Sequence, residues 1–193
     1  LLKLLHLTHT QLQIPEADVD HQAPPLTELS IEDVQDSGKR LIQLVDGLHE
    51  LHASASTTRA LVAVHGYESR GYEWIYPLIH LHNPQTAIYF YRWDWNQCPQ
   101  SAADGLAKAL GQLMTSSPKI TEVVVLGHSY GGLISALVAQ QWKAHLPLNV
   151  HIIASPLAGL SGMGKLCEFP SLESKILPKT VSWHQWRTQH QLD

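Results

Sequence analysis

Long apolar runs are missing from this 193-residue sequence. None approaches the roughly 18 consecutive residues that a membrane-spanning helix needs, so no transmembrane segment is expected. An excess of basic residues is missing too: 13 Lys and Arg stand against 17 Asp and Glu, a net charge of -4. That balance leaves no electrostatic footprint for nucleic acid or for an anionic membrane. Cysteine is scarce, and Cys98 and Cys167 fit no metal-binding spacing; either they form a single disulfide or both stay free. Histidine runs the other way, with 13 in the chain. Its closest pairs, His49 with His52 and His80 with His82, have no carboxylate or cysteine at ligand spacing to complete a site, so neither a metal nor a cofactor is expected. No internal repeat or domain boundary shows, and the length suits one domain, 1–193, with a sizeable core.

The chain opens at Leu1 rather than at an initiator Met, and a processed or trimmed form of something longer is the expectation that follows. LLKLL is too short for the apolar core of a signal peptide, though it suits the remnant of one. With a disulfide in prospect, this tilts the expected location outside the cytoplasm, periplasmic or secreted. Oligomeric state is not readable.

What the sequence does hold is an alternation of short β-rich runs and helical stretches. Leu1–Ile14 alternates in the manner of an edge strand stopped by Pro15, and 15–29 reads as a Pro-rich loop. Ser30, answered by Asp33, is expected to cap a helix whose apolar stripe of Ile31, Val34, Leu41, Leu44, Val45, Leu48 and Leu51 runs to about His52 and covers the sheet. Beyond it, a core over 59–193 is expected. Strands are predicted over Ala60–Val64, Thr86–Trp93, Val123–Leu126, Val150–Ala154 and Thr180–Trp186. Helices are predicted over Tyr72–His80, from Ser101 through Met114, and over Leu133–Leu146. Residues 160–179 read as a rim or cap, and Arg187–Asp193 as a loop. The fold class that follows is α/β, a doubly wound, mostly parallel sheet with helices on both faces.

One stretch carries chemistry. Val123–Leu126 reads as a strand buried on both faces, Gly127-His128-Ser129-Tyr130-Gly131-Gly132 as a tight corner, and the residues after it as a helix. The bare pattern G-x-S-x-G arises by accident in roughly one chain of this length in fifteen, given ordinary glycine and serine usage. Its placement between strand and helix makes it informative. This stretch resembles the α/β-hydrolase family, especially its lipase and esterase members, and so do His65-Gly66-Tyr67 after the preceding strand and Ser155-Pro156-Leu157-Ala158-Gly159 after the following one.

The resemblance, over roughly 59–193, implies the α/β-hydrolase fold, incomplete at the C-terminus, with Ser129 as nucleophile. It implies an oxyanion hole from the amides of Tyr67 and Tyr130, and substrate contacts from His65, Gly66, His128, Pro156 and Leu157. A small acyl or ester substrate is the implied partner. Asp94, past the end of its strand, either shapes the pocket or caps the loop.

A serine hydroxyl needs a base, and the family order places acid and then histidine after the nucleophile. Asp193 occupies the acid's place, with the histidine expected beyond it. Two other arrangements stay open: His190 or His184 as base with Glu168 or Glu173, or a degenerate fold that binds without turnover. The reaction implied is ester hydrolysis through an acyl-enzyme, with acyl transfer to another acceptor as the enzymatic alternative.

Overall fold

The structure, a computed structural model, describes residues 22–158, 167 and 177–187. A six-stranded sheet forms the middle layer, comprising β1 (Gly47–His52), β2 (Arg59–Val64), β3 (Thr86–Arg92), β4 (Glu122–His128), β5 (Leu148–Ile153) and β6 (Val181–Trp186). The order across it is β1-β3-β2-β4-β5-β6, all parallel except β1, which runs antiparallel to β3. The helices are α1 (Val34–Ile42), α2 (Tyr72–His80), α3 (Pro99–Ser116) and α4 (Tyr130–Gln141). The α/β fold read from the alternation is the fold observed.

Two cores flank the sheet, and strand alternation assigns each residue to one of them. Val62 and Val64, Tyr89 and Tyr91, and Val123 and Val125 point to the side covered by α3 and α4. Leu61 and Ala63, Ile88 and Phe90, and Leu126 point to the side covered by α1 and α2. This two-sided burial is why β2, β3 and β4 are uninterrupted apolar runs rather than alternating ones. α4 is buried from Tyr130 through Ala139, packed against β4 and β5 on one side and against α3 beside it.

The expected helix over 30–52 is corrected by the structure. Asp33, not Ser30, caps α1, accepting a bond from the Asp36 N–H at 3.1 Å. The helix stops at Ile42, whose carbonyl takes a 2.9 Å bond from Arg92 Nε. Gly47 at φ 146° then turns the chain into β1. Leu48 and Leu51, read as one helical stripe, pack on opposite sides of the sheet. Three residues apart suits a helix, but it also suits two faces of a strand.

Smaller corrections follow similar logic. α3 begins at Pro99 rather than Ser101, since proline suits the first helical position, where no N–H bond is lost. α4 begins at Tyr130 and ends at Gln141, where Trp142 becomes extended. The expected strand over Leu1–Ile14 lies outside the described residues.

Candidate active site

β2, β4 and β5 end at one edge of the sheet, and the turns there hold every non-glycine residue of positive φ among the described residues: Glu68 at 52°, Ser129 at 53° and Ala154 at 47°. Such backbone costs about 1–3 kcal/mol per residue and persists only where the surroundings enforce it. At Ser129, with ψ at -122°, enforcement comes from both sides of the residue. Its N–H donates to the Ile153 carbonyl at 2.9 Å, and its own carbonyl accepts from the Gly132 N–H at 3.0 Å. The side chain is half-buried, at the first residue after β4 and the last before α4.

Two glycines set how close the neighbouring backbone comes. A Cβ on Gly66 would stand 3.0 Å from Ser129 Cβ and 3.4 Å from Ser129 Oγ, so the turn after β2 lies directly against the serine. A Cβ on Gly131 would collide with the carbonyl oxygen of Val64, so the first turn of α4 is pressed onto the end of β2. The corner and the His65-Gly66-Tyr67 turn are thereby brought together.

His65 is fully buried and both its ring nitrogens are engaged. Nδ1 lies 2.9 Å from the Gly66 carbonyl oxygen, and Nε2 lies 3.2 Å from the Trp93 backbone nitrogen. Carbonyl oxygens only accept and backbone amides only donate, so the proton sits on Nδ1 and Nε2 carries the lone pair. Burial lowers the ring's pKa to about 3, outweighing the two hydrogen bonds, and the imidazole is neutral. The ring of His65, expected among the substrate contacts, is fully buried and holds the Gly66–Tyr67 peptide from inside. Of the other residues put forward, Tyr67 is 49% exposed, Tyr130 is buried, and His128, Pro156 and Leu157 are half-buried. Leu157 packs on the core under α3 and α4.

Trp93, core or rim by its sequence pattern, is buried in the core. Its indole Nε1 donates to the His65 carbonyl at 2.9 Å, and its ring lies nearly parallel to those of His65 (5.4 Å) and Tyr130 (5.6 Å). An aromatic at a strand end was the available signal. Only the third dimension shows what it joins.

Asp94 turns out to be a capping residue. Its Oδ1 accepts from the Asn96 N–H at 3.0 Å and from the Asn96 side-chain amide at 2.9 Å. His184 is not brought to Ser129. It sits in mid-strand on β6, in register with His151 and stacked on it at 4.7 Å. Two strand spacings and three residues of rise separate it from Ser129, roughly 14 Å. Asp193, His190, Glu168 and Glu173 lie outside the described residues. Among the described residues no three His, Cys, Asp or Glu side chains gather to hold a metal.

Cys98 and Cys167 are joined in a disulfide, with Cα atoms 5.5 Å apart. Cys98 caps α3 past β3, and Cys167 lies in the connection between β5 and β6. β2 and β4 run between β3 and β5 in the sheet, so the bridge links the connections on either side of the serine corner.

A family model described as alpha/beta hydrolase matches residues 27–167, well over half of the chain, and the protein belongs to that family. No curated protein matches it. Solved structures with a similar fold include esterase B from Lactobacillus rhamnosis, inhibited by a tributyrin phosphonate, at 17% identity and TM-score 0.46, covering 60% of this chain and 44% of that one. A thermostable carboxyl esterase from Bacillus coagulans, in complex with glycerol, is 15% identical with TM-score 0.41, covering 55% and 44%. A lipase-esterase related protein from Clostridium acetobutylicum is 18% identical with TM-score 0.38, covering 56% and 46%. The chain thus spans under half the length of each of these structures.

Proposed function

We propose that the protein is a serine hydrolase that cleaves a carboxylic ester or related acyl compound through an acyl-enzyme on Ser129. The observation that carries this reading is the strained, half-exposed Ser129 with the Gly66 backbone directly against it. Strain of this kind is retained where a side chain must be presented away from its own strand. Ser129 Oγ attacks the acyl carbon, the carbonyl π pair moves onto oxygen, and the hydroxyl proton passes to a base. The oxyanion is received by the amides of Tyr67 and Tyr130. Each such donor is worth about 3 kcal/mol of barrier because it is in place before charge develops. Collapse expels the alkoxide, which takes the proton back, and water repeats the sequence on the acyl-enzyme.

The base in this reading is a histidine carried outside the described residues, oriented by Asp193 as its acid. His65 is excluded from the part, since its lone pair is already committed to the Trp93 N–H and its pKa of about 3 makes it a poor proton acceptor. The Cys98–Cys167 disulfide favours an oxidising compartment, periplasmic or extracellular.

A fluorophosphonate probe tests the assignment. The wild-type protein takes up one label, mass spectrometry places it on Ser129, and Ser129→Ala stays unlabelled. A wild-type protein that is folded and unlabelled would instead be a binding protein on a hydrolase scaffold. Adding alcohols or amines to the ester assay separates hydrolysis from acyl transfer by the products formed.

A further inference from the structure

We infer that Trp93 is the positioning residue that holds both amide donors of the site in register, an inference that rests on the serine-hydrolase reading above. The peptide unit that carries the Tyr67 N–H also carries the Gly66 carbonyl, and that carbonyl is held by His65 Nδ1 at 2.9 Å. Orienting the carbonyl therefore orients the N–H, because the peptide group is planar and its two ends point oppositely. His65 in turn is set by Trp93 at two points: the Trp93 backbone N–H bonds Nε2 at 3.2 Å, and the indole N–H bonds the His65 carbonyl at 2.9 Å.

The same indole lies parallel to Tyr130, at 5.6 Å between centroids and 13° between planes. Tyr130 is the residue whose amide is the other donor. One rigid, buried ring, 2% exposed, thus contacts the residues controlling both N–H groups, which follow different strands, β2 and β4. Phe90 is the informative contrast. It also stacks on His65, at 5.7 Å, and is fully buried, but on the far side of the sheet from Trp93 and Tyr130. Removing Phe90 loosens the core, whereas altering Trp93 moves the donors.

Donor placement matters most when negative charge is on the acyl oxygen, so a small displacement lowers kcat and leaves KM nearly untouched. Trp93→Phe keeps a ring in place and deletes the indole N–H. The expected result is a fall of roughly 10- to 100-fold in kcat and in the rate of fluorophosphonate labelling at Ser129. KM stays within about two-fold, and affinity for an alkyl boronic acid, which forms a tetrahedral adduct on the serine, weakens in step with kcat. Phe90→Leu lowers the melting temperature and leaves the labelling rate near wild type.

Labelling of Trp93→Phe at the wild-type rate overturns the inference, as does a loss that Phe90→Leu reproduces at equal loss of stability. Should Trp93→Phe not fold, Tyr130→Leu, which removes the second stacked ring and keeps the indole bonds, takes its place. Slowed labelling at constant KM then supports the inference, and an unchanged rate overturns it. A wild-type protein that neither labels nor hydrolyses esters refutes the hydrolase reading itself, which is a separate outcome.

Discussion

Gly66 and Ser129 are in backbone-to-side-chain contact: a single carbon added at 66 would sit 3.0 Å from Ser129 Cβ and 3.2 Å from the His128 carbonyl oxygen. Two turns far apart in sequence share one small volume, and the absent side chain is what lets them. Gly66→Ala therefore pushes the Tyr67 amide away from the serine by a few tenths of an ångström. We expect kcat/KM on an activated ester to fall roughly 10- to 100-fold. The urea midpoint moves little, because the edge of the sheet can give. Equal loss of stability and activity would argue against the contact being functional.

The backbone at Ser129 makes an opposite pair of predictions for stability and activity. At φ 53° and ψ -122°, glycine relieves strain and alanine does not. Ser129→Gly is expected to be about 1 kcal/mol more stable than Ser129→Ala by chemical denaturation, after the entropy that glycine loses on folding is set against the relieved strain. Both variants are expected to lose the proposed esterase activity. Equal stabilities would mean that the corner is relaxed.

His65 gives the fold a pH dependence with a definite sign. Its folded pKa of about 3 lies below the unfolded value of 6.5, so the unfolded chain binds the extra proton between those limits. The neutral ring's contribution is complete above about pH 6.5 and is lost as pH falls, at up to about 1.4 kcal/mol per pH unit. His65→Asn keeps a donor for the Gly66 carbonyl and cannot titrate. Urea midpoints of the two proteins at pH 7, 6, 5 and 4 should converge toward acid, the wild type falling faster. Parallel curves would show that the ring is not buried neutral.

The disulfide closes a loop with a sequence separation of 69 residues, for which chain entropy predicts about 4 kcal/mol. Reduction with a dithiol, or Cys98→Ser with Cys167→Ser, should lower the unfolding free energy by an amount of that order. A change under about 1 kcal/mol would indicate that the reduced, unfolded chain is already restricted.

The legible parts of this chain were those where one pattern had one meaning. Tyr72–His80 was read to the residue, and β2 through β5 to within two, because buried parallel strands leave unbroken runs that no amphipathic helix would show. The serine corner was legible because glycine at 131 is demanded by a backbone approach that also fixes its neighbours. Residues 44–51 were not, since Leu44, Leu48 and Leu51 satisfy a helical stripe and a two-faced strand equally, and the arbiter is Arg92, about 50 positions away, taking the Ile42 carbonyl. Trp93 reads as core or rim and is core, but its hydrogen bonds are not legible in the sequence. The resemblance marks His65 as a substrate contact, and only the geometry shows that the hydrogen bonds of His65 and Trp93 run to each other and to the turn.

The two halves of the sheet are clothed unequally. Around β2 and β3 both faces are sealed, while from β4 onward the side that bears Glu122, Asn149, His151, His184 and Trp186 has no helix over it among the described residues. Backbone protons should then trade with solvent in spatial order, β6 first and the strands beneath Trp93 last. The scaffold under the turns at Gly66 and Ser129 is accordingly the final part of the molecule to let go, and a protein partly melted from its β6 flank would still hold those two turns in place.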